Sequence, residues 1–393
     1  MHFFTSITTC YLPKARVLAY TLKRYNPDAV MHLVVSDNLP ENFDIDKEDF
    51  DYVWNAEDFI KTDNNKKWFF EHSVVELCTA VKGAAALHIL QETKTDKIVY
   101  LDPDIGVFDD LTPLSTMLDS NSVLLTPHQT EPATTRQNVM NDEICSLMHG
   151  VYNFGFFAVK NDENGLRFLN WWNDRLMEFC YDDIPHGLFT DQKWGDIAPA
   201  LFDFVKIIHD PEYNVATWNL SHRKLTGDEK DGWKVNGRPL KFYHFTGFDS
   251  GDHRVMLALF AKEGDPVWNL SLMYEKMMFD MGQEELGKVT YKYAFYENGE
   301  KITNKERQVF RERLDVYNYF DNPFGNECYL WMKANVTERK KTEVGDIVKL
   351  CVKRLLYKFL YKISLFGVRK RLKAKYKSIV MQIDEIEKII SVQ

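Results

Sequence analysis

The 393-residue sequence is poor in cysteine, and Cys10, Cys78, Cys145, Cys180, Cys328 and Cys351 are scattered along it without a C-x-x-C pair. That spacing excludes a zinc ribbon or a dithiol redox motif and fits a reduced compartment. No run of about 18 apolar residues is present, so no bilayer-spanning segment is expected. The opening MHFFTSITTCYLPK has neither a basic n-region nor an apolar stretch of signal-peptide length, so no secretory leader is expected. Internal repeats and low-complexity tracts are also missing. With 45% apolar and 14% aromatic residues, most of the chain can bury a core, and its length suggests roughly two domains.

Charge is unevenly placed. The net charge is -9, yet residues 339–377 carry 14 Lys or Arg against Glu343 and Asp346, a local +12 that leaves -21 for the rest. An acidic body with one basic segment argues against nucleic acid as a partner and for a local anionic one. In that segment Val348, Val352, Leu355, Phe359 and Ile363 share a helical stripe flanked by lysines and Arg354. An amphipathic helix lying on an anionic membrane surface is the expected form. Docking on the body, or on another protomer in a homo-oligomer, is the alternative.

The first hundred residues alternate apolar runs with amphipathic stretches, the pattern of an α/β sheet. Strands are expected at 3–7, 31–35, 98–101, 123–126, 153–159, 205–208 and 241–245. Helices are expected from Pro13 to about Tyr25, over 70–92 with an interruption at Gly83, and over 164–180 and 190–202. After about residue 255 the pattern turns helical. The expected organisation is an α/β domain over 1–255, a mainly helical subdomain over 256–338 and the basic amphipathic tail over 339–393.

Three D-x-D patterns occur. Asp44-Ile45-Asp46 and Asp49-Phe50-Asp51 lie in a polar acidic stretch and read as solvated surface. Asp102-Pro103-Asp104 follows the apolar strand Ile98–Leu101 directly, so its carboxylates fall at a strand end, where open α/β sheets bind ligands. Two carboxylates there offer hard oxygen ligands to Mg²⁺ or Mn²⁺, which would hold a diphosphate and stabilise its departure. A phosphatase of the haloacid dehalogenase type also uses D-x-D after a strand, but needs Thr or Ser soon after, where Ile105-Gly106-Val107 stands here.

YLDPDIGVF, approached through ELCTAVKGAAALHIL, resembles the donor-site region of GT-A fold glycosyltransferases, particularly family 8-like enzymes of bacterial surface polysaccharides, over roughly residues 1–255. The resemblance implies a Rossmann-like mixed sheet flanked by helices, and a metal-dependent transfer of a hexose from a nucleotide-sugar, UDP-sugars being favoured, to a glycan acceptor. That acceptor would be lipid-linked, at the inner face of the cytoplasmic membrane, in O-antigen, capsule or lipopolysaccharide assembly. It further implies Asp102, Asp104 and His244 as ligands to Mn²⁺ or Mg²⁺, the imidazole favouring Mn²⁺ over Ca²⁺. Thr5, Ser6 and Asp37 would contact the nucleoside, with Asp102 approaching the ribose, and Lys82, Asn153 and Gly155 would line the sugar pocket. Asp191 and Gln192 would flank the anomeric carbon as catalytic residues, with retention of configuration preferred. The H-x-x-G motif at His244–Gly247 usually continues to a lysine that grips the diphosphate. This chain continues Phe248-Asp249-Ser250-Gly251-Asp252-His253-Arg254 instead, so Arg254, or His253, is the substitute expected. The non-enzymatic alternative is a membrane-attached glycan-binding or scaffolding protein on a transferase fold.

Overall fold

The computed structural model describes residues 1–337 and divides them between a unit spanning Met1–Ala294 and a second beginning at Phe295. The basic segment at 339–377 lies outside the described residues.

The first unit is built on β1 (His2–Ile7), β2 (Val30–Val35), β3 (Tyr52–Asn55), β4 (Lys97–Leu101), β5 (Ile105–Val107), β6 (Val123–Pro127), β7 (Tyr152–Lys160), β8 (Val205–Ile207) and β9 (Phe242–His244). Seven of these form one sheet in the order β8-β6-β7-β4-β1-β2-β3. The pairs β1/β2, β1/β4, β2/β3 and β6/β8 are parallel, whereas β7 runs antiparallel to both β4 and β6. This is the mixed sheet expected of the GT-A class. Strands such as VMHLVV are apolar at every position but His32, as expected of a parallel strand buried on both faces. Phe3, Ile7, Leu33, Val35, Val99 and Leu101 bury against Leu18 and Leu22 of α1 (Leu12–Tyr25).

The helix after β3 differs from expectation in an instructive way. The segment over 70–92 breaks at Ser73, not at Gly83: a short helix ends at Glu71, and α2 (Val74–Thr93) starts from a capping box between Ser73 and Glu76. Gly83 is instead where α2 meets α3 (Glu163–Phe179), since a Cβ there would stand 2.9 Å from the Asn173 Cα. By length and composition alone α2 could cross a membrane, but its Leu77, Ala80, Val81, Ala85, Ala86 and Ile89 are buried in packing on α3 and β1.

The helix expected over 190–202 is also two pieces, Gln192–Gly195 and Ala198–Leu201. Gly195 packs on the Phe154 ring with no room for a side chain, and Pro199 sits in the first turn of the second piece, where its missing N–H suits a helix start and not a helix interior. The first unit continues past residue 255 through α4 (Asp252–Leu257) and α5 (Pro266–Asp280), because α5 packs on α1. The boundary of the α/β body therefore falls at Ala294. The two acidic D-x-D repeats are structural: Asp44 caps a turn at Asp46, and Asp51 accepts from the Met31 amide and pairs with Lys23.

The second unit is helical where described, with α6 (Asn304–Glu312), α7 (Leu314–Tyr319) and α8 (Asn326–Met332). Thr303 and Glu306 form a capping box at the start of α6, and Phe310 meets Tyr317 with ring centroids 5.3 Å apart.

Candidate metal and donor site

Strand register assembles the metal corner. β4 ends at Leu101, and the turn is closed by Ile105 N–H donating to the Asp102 carbonyl at 3.0 Å. β9 pairs antiparallel with β5 so that His244 stands opposite Ile105, and Phe245 N–H donates to the Asp104 carbonyl at 2.8 Å. The imidazole thus arrives beside the carboxylates, with its Nε2 3.0 Å from Asp104 Oδ1 and 3.6 Å from Asp102 Oδ2. One ligand atom from each of the three residues lies within 4.8 Å of the other two.

Burial opposes charge on both Asp104 and His244. Their mutual attraction outweighs it, holding the Asp104 carboxyl below and the His244 imidazole above its ordinary value. Two carboxylate oxygens and one imidazole nitrogen, the imidazole buried and the carboxylates partly exposed, fit Mn²⁺ or Mg²⁺.

Lys82, from α2, is 2% exposed and places its ammonium 3.2 Å from Asp102 Oδ1, 2.8 Å from Asp191 Oδ2 and 3.1 Å from the Phe154 carbonyl. The contacts with Asp102 and the Phe154 carbonyl are hydrogen bonds, and that with Asp191 is an ion pair. Burial opposes its charge, but the two carboxylates hold its pKa above the ordinary lysine value. Asp191 is buried as well, and that burial, with only one cation shared with Asp102, lifts its carboxyl above the usual range. Tyr100, on β4, donates to Asp102 Oδ1 at 2.6 Å and was not expected from the sequence to belong here. Lys82 is in the site as expected, but its ammonium is engaged with the protein.

Asn153, Gly155 and Gln192 are brought to the same corner. Gln192 Oε1 accepts from Asn153 Nδ2 at 3.2 Å and Phe154 N at 3.3 Å, while its Nε2 donates to the His149 carbonyl at 3.0 Å. Gly155 is glycine because a Cβ would stand 2.5 Å from His244 Cε1, 2.7 Å from Asn153 Oδ1 and 2.8 Å from Asp102 Oδ2. The close approach read from this glycine is therefore made by the site's own side chains. Trp218 stands edge-on to His244 with centroids 5.2 Å apart.

At the ends of β1 and β2 the hydroxyls of Thr5, Ser6 and Ser36 are buried without hydrogen-bond partners. Asp37 accepts from the amides of Thr9 (3.2 Å), Asn38 (2.8 Å) and Lys292 (2.9 Å), organising the loops around them.

The loop after His244 corrects one expectation. Gly247 turns the chain at φ +73°, and α4 then faces Arg254 outward, where its guanidinium pairs with Glu275 at 2.9 Å and covers the Trp268 ring. Arg254 is not the cation of the metal corner. One helical step separates it from His253, which is buried, meets the Thr246 carbonyl through Nδ1 at 3.2 Å and leaves Nε2 unpartnered. Burial pushes the His253 imidazole down to about 4.

The buried cation on this side is Lys14 of α1, 1% exposed, which lies over the Tyr11 ring, pairs with Asp249 of the 247–251 loop and helps to hold Asp104 ionised. Its spacing from the buried Leu18 and Thr21 on α1 was the available sequence signal. Asn214 was also missed. It is fully buried at φ +54° in a loop that sequence alone marks only as a turn.

Strand-end carboxylates and a converging imidazole bring together three side chains that could hold a metal ion. Residues 2–167 match the family described as glycosyl transferase family 8, and the matched stretch contains Lys82, Asp102, Asp104, Asn153 and Gly155. Asp191 and His244 lie beyond it. The uncharacterized protein YfnF of Bacillus subtilis (strain 168) is 30% identical over 177 residues, covering 44% of this chain. The chain spans 57% of the length of that relative.

Among solved structures, the galactosyltransferase LgtC in complex with donor and acceptor sugar analogues is 16% identical, covering 74% of this chain and 98% of its own, with a TM-score of 0.40. Mouse xyloside xylosyltransferase 1 is 14% identical, covering 63% of this chain and 98% of its own, with a TM-score of 0.38. GlyE of Streptococcus pneumoniae TIGR4 is also 14% identical, covering 75% of this chain and 66% of its own, at 0.40.

Proposed function

We propose that the protein is a metal-dependent glycosyltransferase that moves a hexose from a nucleotide-sugar, with UDP-sugars favoured, to a glycan acceptor. The convergence of Asp102, Asp104 and His244 on one point, with both aspartates inside the stretch that matches family 8, carries this reading. These three would hold Mn²⁺ or Mg²⁺, which when bound would neutralise charge developing on the departing diphosphate. The remaining work falls to the chain itself. Lys82 and Tyr100 orient Asp102, Lys82 ties Asp191 to the same corner, and the hydroxyls of Thr5, Ser6 and Ser36 offer hydrogen bonds to the nucleoside. Asp191 and Gln192 would flank the sugar, with retention preferred. Because Asp191 is buried and paired with a lysine, electrostatic support of positive charge at the anomeric centre suits it better than proton transfer.

A lipid-linked acceptor at the inner face of the cytoplasmic membrane accords with two observations: the basic sequence at 339–377, and the exposed Met140, Ile144, Leu147 and Met148 along the helical stretch that ends at His149 beside Gln192. Nucleotide release from a panel of UDP- and GDP-sugars with Mn²⁺ tests the donor. Asp104→Asn should abolish metal-dependent UDP binding by calorimetry, and binding that ignores Mn²⁺ in the wild type would overturn the proposal. Flotation with anionic vesicles, compared with a chain ending before residue 339, tests the membrane.

A further inference from the structure

We propose that the helical stretch over residues 136–149, together with Val151, Ile197 and Leu201, is an interfacial anchor that seats its apolar side chains among the acyl chains of a lipid bilayer. The inference rests on the reading of a lipid-linked acceptor above. It names the face of the α/β body that meets the membrane, separate from the basic sequence at 339–377.

The stretch carries its polarity the wrong way round for a helix that faces water. Of residues 140–151 the exposed ones are Met140, Ile144, Cys145, Leu147, Met148 and Val151, and none of them is charged. All but Cys145 recur at the spacing of one helical face, and Leu147 is 69% exposed. The polar side chains are engaged with the protein. Asp142 is 2% exposed and accepts from Ser221 Oγ at 3.3 Å, Glu143 Oε1 accepts from Ala133 N–H at 2.7 Å, and Ser146 Oγ donates to the Asp142 carbonyl at 2.7 Å. A surface helix in water ordinarily turns its apolar stripe to the core and its polar face outward.

The apolar face continues onto the segment that follows Asp191 and Gln192. Lys193 Nζ donates to the Leu147 carbonyl at 2.8 Å, and Asp196 Oδ1 accepts from Val151 N–H at 2.6 Å. Lys193 also pairs with Asp196 at 2.9 Å, so its charge is compensated at the seam. Ile197 and Leu201, each nearly half exposed, extend the patch from there. Its apolar residues are few for a partner protein, since a stable interface takes about 20–30 residues from each side. A bilayer asks for less: a handful of apolar side chains on an uncharged face, with no matching pocket opposite. At the end of the stretch the His149 carbonyl accepts from Gln192 Nε2 at 3.0 Å, so the anchor adjoins the sugar corner that a membrane-held acceptor must reach.

The test is flotation of the full chain with phosphatidylcholine vesicles at about 1 M NaCl, where the Debye length is about 3 Å and charge attraction is screened. Wild type should float, and Ile144→Glu combined with Leu147→Glu should partition about 10-fold less or weaker still, because two apolar side chains lose their burial. Tyr319→Glu, at an exposed aromatic of the second unit, should float as wild type does. A wild type that stays in solution, or a double variant that floats equally, overturns the assignment. So does a wild-type dimer in sedimentation velocity that the double variant dissociates, which gives the face to a second copy. If phosphatidylglycerol vesicles at low salt take up wild type and double variant alike, the membrane reading stands and only this face is lost. UDP binding with Mn²⁺ should be the same in both chains, and its absence from a wild type that floats defeats the donor reading alone.

Discussion

Gly155→Ala should remove the metal site while leaving every proposed ligand in place. The new Cβ would stand 2.5 Å from His244 Cε1 and 2.8 Å from Asp102 Oδ2. Non-bonded carbons are comfortable at about 3.5–4 Å, so the ring must retreat by about 1 Å. Metal–ligand bonds tolerate errors of only about 0.2 Å. Neither neighbour has an easy exit: Trp218 packs edge-on to the ring, Asn153 faces its Nδ1, and Asp102 is held by Lys82 and Tyr100. Strand β7 cannot yield without disturbing its ladders to β4 and β6. Overpacking of this kind costs about 1–3 kcal/mol of stability, so the variant should fold with a lowered urea midpoint. Its Mn²⁺ affinity in the presence of UDP should fall by on the order of 100-fold or more, beyond a lost outer-shell contact. If the folded variant binds Mn²⁺ as the wild type does, the three side chains do not share an ion in this geometry.

Lys82→Met leaves Asp102 and Asp191 without their shared cation. Breaking a buried pair in this way costs about 3–5 kcal/mol, and Mn²⁺ should restore part of it by compensating Asp102, which denaturation with and without the ion will show. At the other end of the sheet, Trp54 Nε1–H donates to His32 Nδ1 at 3.0 Å, and His32 Nε2 meets His2 Nδ1 at 2.9 Å. Burial, then the neighbouring His2, lowers His32 to about 3, so the unfolded chain takes up the proton first as pH falls through about 6.5. Stability contributed by the neutral ring is present above that value and shrinks below it, by up to about 1.4 kcal/mol per pH unit until His32 itself protonates. Urea midpoints of wild type and His32→Phe at neutral and mildly acidic pH should converge on acidification, and parallel curves would refute the assignment. Lys14→Met should weaken UDP binding more than Arg254→Met does, since only Lys14 is buried toward Asp104. Equal effects in calorimetry would show that neither cation serves the site.

What the chain determined on its own is local. Apolar runs such as Ile98–Leu101 specify buried strands, and Pro103 between two aspartates ends the strand where carboxylates can face a ligand. Helix starts at Ser73 and Thr303 follow from side chains that satisfy nearby amides. The distant imidazole at His244 could be anticipated through family resemblance, because motif spacing survives without knowledge of register. Tertiary structure alone decided the rest. It placed His244 opposite Ile105, gave Lys82 two carboxylates from separate loops, turned Arg254 outward and Lys14 inward, and made Asn214 part of the site. Each of these depends on which backbone lies next to which across long sequence separations, whereas residue preference reports only on neighbours within a few positions. Gly155 shows both limits at once: its lack of a side chain announced a close approach, and only the fold revealed that His244, Asn153 and Asp102 are what approach it.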